Sequence, residues 1–144
     1  MSYKILAPLF TFFIYIIAAF SSSGASDPWY VNLSKSSLEP PGYVFGIVWG
    51  VLYILMAISA YRVFDKVYKL FFLQLFFNGI WSWLFFFFHL PIIALIDIWI
   101  LIYLNILIFK RLYKAEKFSA YIYLPYIFWL LFASYLNLYI ILNN

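Results

Sequence analysis

The chain has 144 residues, of which 68% are hydrophobic, 26% aromatic and 10% charged. A soluble domain has about 45–50% apolar and about 25% charged residues, so the composition excludes a soluble globular protein. The formal net charge is +4, and the sequence contains no cysteine. Disulfides, thiolate metal sites and a cysteine nucleophile are therefore excluded as well.

Five apolar blocks fill most of the chain, and each is about long enough to cross a hydrocarbon core roughly 30 Å thick. A backbone embedded in lipid must satisfy its own hydrogen bonds, so each block is predicted to be a helix. The sequence predicts a single all-α domain over residues 1–144, an integral membrane bundle of five transmembrane helices. The predicted helices cover about residues 3–20, 44–64, 68–88, 92–109 and 119–142.

The first block begins like a secretory signal, because Lys4 precedes an apolar run and Ser21 to Ala25 resembles a cleavage region. The run is longer than the usual signal core of about 7–15 residues, so a retained helix is favoured over cleavage. The loop that follows, about 21–41, is long and polar, whereas the other connections are short. A single long loop among short ones is often functional.

The basic residues are distributed unequally between the two ends of the predicted helices. Lys35 lies in the long loop, and the others lie at the opposite end: Lys4, Arg62, Lys66, Lys69, Lys110, Arg111, Lys114 and Lys117. Cytoplasmic loops of membrane proteins carry an excess of Lys and Arg. We therefore predict a cytoplasmic N-terminus and a C-terminus on the opposite side. The positive net charge is then explained by the orientation of the helices in the membrane, and no nucleic-acid partner is predicted.

The second block follows Pro40 and Pro41, which suit a helix N-terminus because the amide hydrogen that proline lacks is not needed there. Gly42, Gly46 and Gly50 recur every four residues and allow another helix to approach closely. The sequence leaves open whether that helix belongs to the same chain or to a second copy. A homodimer is therefore one of the alternatives.

The predicted third helix carries a polar and aromatic stripe. Gln74, Asn78, Trp81 and Phe85 recur at a spacing that places them on one face. Such a face turns away from lipid. It either forms interhelical hydrogen bonds, which are common in membrane bundles, or it supplies amide donors and acceptors to the wall of a cavity.

Similar stripes occur on the predicted second and fifth helices. They consist of Trp49, Tyr53, Met56 and Ala60, and of Tyr126, Trp129, Ala133 and Asn137. Aromatic stripes are more often part of a core than of a binding site. Here they bring indoles from different helices into one span, where flat apolar ligands bind by burial and ring stacking. We expect Trp49 and Trp129 to flank a planar ring, with Ala133 leaving room beside Trp129.

Two isolated ionisable residues allow both a structural and a functional interpretation. His89 is the only histidine, and it is either an axial ligand of a haem iron or an interfacial residue. Asp97 lies inside the fourth block, where it either forms a packing hydrogen bond or faces a cavity. The sequence shows no cluster of His, Asp and Glu, so we predict neither a metal site built by the protein nor catalytic residues.

Several different sequence motifs follow one another along most of the chain. They are Pro40–Trp49 with Leu52–Met56, Asn78–Phe86, Ala94–Asp97, and Leu124–Trp129 with Phe132–Ala133, Leu136–Asn137 and Leu142–Asn143. Together they resemble the signatures of the TspO/MBR family, also called translocator protein, tryptophan-rich sensory protein or peripheral benzodiazepine receptor. The chain departs from the family pattern at Tyr43, where Trp is usual, and at Ile47, where Pro is usual.

The resemblance implies a five-helix bundle, often dimeric, with a pocket that opens towards the first loop. It also implies that porphyrins, haem and synthetic benzodiazepine-site ligands bind there, and that no cofactor is obligatory. By motif position, Trp29 would help to close this pocket. With the stripes, the candidate ligand-binding residues are Trp29, Trp49, Tyr53, Asn78, Trp81, Asp97, Trp129 and Ala133.

The predicted function is that of a membrane receptor or binding protein for porphyrins, haem and related hydrophobic ligands, acting in tetrapyrrole sensing, transport or disposal. One alternative is an enzyme that degrades protoporphyrin in a reaction that depends on light or oxygen. Another is a packing or assembly protein without a small ligand. Sterol recognition is not predicted, because Leu138 to Asn144 contains no basic residue of the kind that the proposed sterol pattern requires. Leu107, Tyr113 and Lys117 match the pattern elsewhere, but such a weak pattern matches by chance.

Overall fold

The computed structural model describes residues 3–21 and 28–144, and every regular element in these ranges is helical. A 3-10 turn at Tyr3–Ile5 leads into the first helix. The α-helices are α1 (Leu6–Ala19), α2 (Pro28–Val31), α3 (Gly42–Arg62), α4 (Phe64–Ser82), α5 (Pro91–Ala115) and α6 (Lys117–Asn143), and a π-helical segment at Trp83–Phe87 continues α4. The prediction of an all-α fold is confirmed. Most of the cleavage-like segment, residues 22–25, lies outside the described ranges.

Four of the described helices are long and apolar enough to cross a membrane: α3, α4 with its π-helical segment, α5 and α6. The apolar helix formed by Tyr3–Ala19 is shorter. The outer surface carries many large apolar side chains, among them Phe12, Ile54 and Phe128, each more than 60% exposed. Large apolar side chains in such numbers suit contact with lipid and not with water. The chain is therefore an integral, multi-pass membrane protein.

Helix α5 is longer than the apolar block at about 92–109 that predicts it. It continues through Lys110, Arg111 and Lys114 and ends at Ala115. Lys and Arg are good helix formers, and basic residues in a last turn interact favourably with the helix dipole. Hydropathy thus identifies the apolar part of this helix but not its end.

The basic ends of the helices meet at one end of the bundle. Arg62, at the end of α3, forms an ion pair with Glu116, which precedes α6, with a distance of 2.5 Å between Nε and Oε1. Hydrogen bonds from Arg62 and from the Ser119 hydroxyl lower the pKa of the Glu116 carboxyl. Arg111 also donates a hydrogen bond to the backbone carbonyl of Lys66. These contacts bring the ends of α3, α4, α5 and α6 together.

A hydrogen-bonded network connects four helices in the interior of the bundle. The Tyr53 hydroxyl on α3 donates to Asn78 Oδ1 on α4, and Asn78 Nδ2 donates to the Tyr126 hydroxyl on α6 at 2.8 Å. Tyr126 in turn donates to Gln74 Oε1 at 2.7 Å. The side-chain amides of Gln74 and Asn78 on α4 therefore form interhelical hydrogen bonds, as one of the two interpretations of the polar stripe predicts.

The same network extends to α5 through Asn105. Its Nδ2 donates to Gln74 Oε1 at 3.1 Å and to the Leu101 carbonyl at 2.8 Å, and its Oδ1 accepts a hydrogen bond from the Tyr123 hydroxyl. Asn105 and Tyr123 are completely buried. Because buried polar groups without partners are costly, these bonds favour one register of the four helices over others.

Glycine has different roles in α3 and in α4. A Cβ atom added to Gly79 would lie 3.3 Å from Ile14 Cγ2, so Gly79 permits the close approach of α1 to α4. A Cβ atom added to Gly46 or Gly50 would meet nothing within 4 Å. Within the described part of the chain, these two glycines of α3 do not serve a close helix contact.

The chain turns sharply between α4 and α5. In the π-helical segment, the Phe88 amide bonds to the Trp83 carbonyl five residues earlier, at 2.9 Å. His89 follows with a φ of 56°, in the left-handed region that most residues other than glycine avoid. This conformation lets the chain reverse direction before Pro91, the first residue of α5. Phe85, within the π-helical segment, is buried.

Candidate functional site

A cavity of about 490 Å³ opens at the end of the bundle opposite the basic end. Its described wall is built from α1, α2, α3, α4 with the π-helical segment, and α6, together with Ser21 after α1 and Glu39 from the loop before α3. Helix α5 contributes no lining residue. Ligand sites in proteins typically have volumes of about 300–1,000 Å³, so the cavity is large enough for a small organic molecule.

The structure brings most of the predicted binding residues together around this cavity. The lining includes Trp49, Tyr53, Asn78, Trp81, Trp129 and Ala133. They come from α3, α4 and α6, whose stripes turn towards the same space. Trp29 and Asp97 are not part of the lining.

Aromatic rings form one wall of the cavity. Trp49 and Trp129 contact each other edge to face, with ring centroids 6.3 Å apart and an interplanar angle of 89°. Tyr53 and Phe45 extend this wall on either side. A ring stacked between two parallel indoles would hold them about 7 Å apart, so the perpendicular pair leaves no slot between the indoles. A planar ligand would instead pack along the pair.

Several polar groups of the wall are already hydrogen-bonded. Trp81 Nε1 donates to Asn137 Oδ1 at 3.1 Å, and Asn137 Nδ2 donates to the Pro91 carbonyl at 2.9 Å. Among the described lining residues, Trp129 Nε1 and both carboxylate oxygens of Glu39 are buried without a hydrogen-bond partner. Buried polar groups in native proteins nearly always have partners. The described cavity wall therefore offers one buried free donor, Trp129 Nε1, and one buried free acceptor group, the Glu39 carboxylate.

The loop before α3 is fixed across the end of the bundle. Lys35 Nζ donates to the backbone carbonyls of Tyr30, Val31 and Leu33, at 2.9 to 3.2 Å, and so caps the C-terminal end of α2. Ser36 shares a hydrogen bond of 2.7 Å with the Tyr135 hydroxyl of α6. These bonds hold Tyr30 and Glu39 at the mouth of the cavity.

Trp29 lies outside the cavity wall and contacts it indirectly. Its ring stacks on His89, with centroids 4.3 Å apart and an interplanar angle of 12°, and it meets Phe85 edge to face at 5.5 Å. Phe85 lines the cavity, whereas His89 does not. Trp29 therefore packs against the turn between α4 and α5. His89 forms part of the same turn, and its ring is stacked away from the cavity.

Asp97 is buried on α5, the helix that contributes nothing to the wall. Its Oδ2 atom is buried without a hydrogen-bond partner. The structure thus places Asp97 in the helix interface and apart from the six clustered residues.

Sequence reasoning missed several lining residues. Helix α1 contributes Tyr15 and Ala18, but its nearly uniform apolar composition gives no stripe from which they could be identified. Gly46 lines the cavity, although its repeat with Gly42 and Gly50 suggests a helix contact. The position of Glu39 depends on the fold of the loop. Burial raises the pKa of the Glu39 carboxyl to about 7.

Comparison with known proteins gives consistent matches along the chain. The sequence model of the TspO/MBR family matches residues 5–142. The chain is similar to the tryptophan-rich protein TspO of Archaeoglobus fulgidus, with 36% identity over 133 residues that cover 88% of this chain and 86% of that protein. It is 30% identical to protein CrtK of Rhodobacter capsulatus, in a match that covers 90% of this chain and 88% of that protein. It is also 30% identical to the translocator protein of Homo sapiens, in a match that covers 76% of this chain and 70% of that protein.

Proposed function

Because the chain belongs to the TspO/MBR family, we propose that it binds porphyrins, haem and related hydrophobic ligands in the membrane and acts in tetrapyrrole sensing, transport or disposal. The observation that carries this proposal is the aromatic cavity at the loop end of the bundle. Its volume and its largely apolar wall suit a flat, conjugated ligand that gains affinity from burial and ring contacts.

The polar groups at the cavity support a binding role. Trp129 Nε1 is a free donor that can hydrogen bond a polar substituent of a ligand. Asn78 and Tyr53, in contrast, are already engaged in the interhelical network. Because these hydrogen bonds already hold the two side chains in place, less conformational entropy is lost when a ligand binds.

Titration of the purified protein with protoporphyrin tests this proposal, with tryptophan fluorescence as the signal and product analysis in light and in darkness. Saturable binding without a new product is the expected result. A defined bilin-like product formed with turnover would make the protein an enzyme. The absence of saturable binding would support the packing or assembly alternative.

We also propose five membrane spans, with the N-terminus in the cytoplasm and the C-terminus outside. Tyr3–Ala19 has a length of about 25 Å at about 1.5 Å per residue, so it spans a core of about 30 Å with a modest local adjustment of the bilayer. The position of the basic residues of α3 to α6 at one end of the bundle supports this orientation.

Reporter fusions at the two termini test the proposed topology. We expect a cytoplasmic reporter to be active only at the N-terminus, and a reporter that requires export to be active only at the C-terminus. Activity of the same reporter at both termini would contradict an odd number of spans.

A further inference from the structure

Glu39 places a carboxylate at the mouth of the cavity. The residue lines the cavity, and its backbone amide bonds to the Ser36 carbonyl at 3.1 Å, which holds it within the ordered loop. Both carboxylate oxygens are buried, and neither has a hydrogen-bond partner in the described part of the chain. A buried, unpaired carboxylate is unfavourable in free energy unless it is protonated or paired with a cation.

No described neighbour supplies that positive charge. The described lining residues include no Lys, Arg or His, and their other titratable groups are Tyr15 on α1, Tyr30 on α2, and Tyr43 and Tyr53 on α3. Lys35 is the nearest basic residue along the chain, but its ammonium group bonds to the backbone carbonyls of Tyr30 and Val31 in α2 and of Leu33 after it. An ionised Glu39 therefore gives the mouth of the cavity a negative charge that no described residue compensates.

We propose that Glu39 makes the cavity select planar ligands with a cationic or hydrogen-bond-donating edge over ligands with the same ring and a carboxylate edge. The inference rests on the proposed function in that it places the ligand in the same cavity. A porphyrin, which carries its carboxylates on one edge of the ring, would bind with that edge directed away from Glu39. In a poorly solvated site, a charge acts over several ångströms, so the selection does not require a direct bond to the ligand. It assigns a chemical preference to a site whose described walls are otherwise almost free of charge.

The preference depends on pH with a definite sign. Burial raises the pKa of Glu39 from 4.5 to about 7, so the carboxyl is ionised above about pH 7 and neutral well below it. The selection for a cationic edge is therefore present above this value and is lost as the pH falls through it.

A pair of probes with one ring system and opposite charges tests the proposal. Pyrenemethylamine is cationic and pyrenecarboxylate is anionic at both about pH 8.5 and about pH 5.5. Their affinities are measured with the full-length protein in nanodiscs of zwitterionic lipid. We expect the amine to bind about tenfold more tightly than the carboxylate at the higher pH, and the two affinities to converge at the lower pH.

Glu39→Gln keeps the shape of the side chain and removes its charge, so the two pyrenes should bind nearly equally to this variant at both pH values. Asp65→Asn is the matched control, because Asp65 lies in the first turn of α4 at the opposite end of the bundle. This variant should keep the preference of the parent.

Three results would overturn the proposal: equal affinities in the parent at the higher pH, an unchanged preference in Glu39→Gln, or no binding of either pyrene. Protoporphyrin titrated against the same samples separates this inference from the proposed function. Selective binding of the pyrenes without saturable binding of protoporphyrin would refute the porphyrin function and leave the role of Glu39 standing.

Discussion

Gly46→Leu should weaken the binding of protoporphyrin by about tenfold or more, because the new side chain would occupy part of the cavity. Gly46 lines the cavity, and a Cβ atom at this position meets nothing within 4 Å. The fold should tolerate the change, since leucine has a higher helix propensity than glycine by about 0.8 kcal/mol. The measurement compares the affinity for protoporphyrin with thermal stability in the same detergent.

Gly50→Leu is the matched control for this prediction. Gly50 lies one turn further along α3 and also has open space at its Cβ position, but it does not line the cavity. The Gly50→Leu variant should therefore bind protoporphyrin with the affinity of the parent. Equal affinities for the parent and both variants would show that the ligand does not use the space beside Gly46.

Asn105→Leu should lower the free energy of unfolding by about 1–3 kcal/mol, because it leaves the buried Tyr123 hydroxyl without its acceptor. The Gln74 carbonyl oxygen would lose one of its two donors and keep the bond from Tyr126. Unfolding in a denaturing detergent provides the measurement. Ligand affinity should change little, since Asn105 lies on α5 and outside the cavity wall.

The double variant Asn105→Leu with Tyr123→Phe completes a thermodynamic cycle. Removing both partners of the bond eliminates the unsatisfied hydroxyl, so the double variant should be more stable than the sum of the two single effects predicts. Strict additivity would mean that the bond between Asn105 and Tyr123 does not couple α5 to α6.

The helical fold class could be predicted from the sequence because lipid permits few ways to satisfy a backbone. Helical spacing also identifies the inward faces of α3, α4 and α6, since residues that recur at three and four positions share one side of a helix. Gln74 and Asn78 are both buried in the structure. Apart from Asn143, the motifs that resemble the TspO/MBR family lie within residues 5–142, the region matched by the family model.

Other features depend on contacts that periodicity does not encode. The side chain of Trp29 packs against His89 because the π-helical segment and the left-handed His89 redirect the chain after α4. The burial of Glu39 follows from hydrogen bonds that fix its loop, and these connect residues far apart in the sequence. The perpendicular arrangement of Trp49 and Trp129 depends on how α3 packs against α6. None of these features follows from the spacing of residues within one helix.

A planar ligand should bind along the indoles of the cavity, and protoporphyrin affinity in three tryptophan variants tests this most directly. Trp49→Ala and Trp129→Ala should each weaken binding by up to about tenfold, because each removes a ring from the cavity wall. Trp99→Ala should bind like the parent, since Trp99 lies half exposed on α5 and outside the wall. Equal affinities in all three folded variants, or the largest loss in Trp99→Ala, would contradict the assignment of the cavity as the binding site.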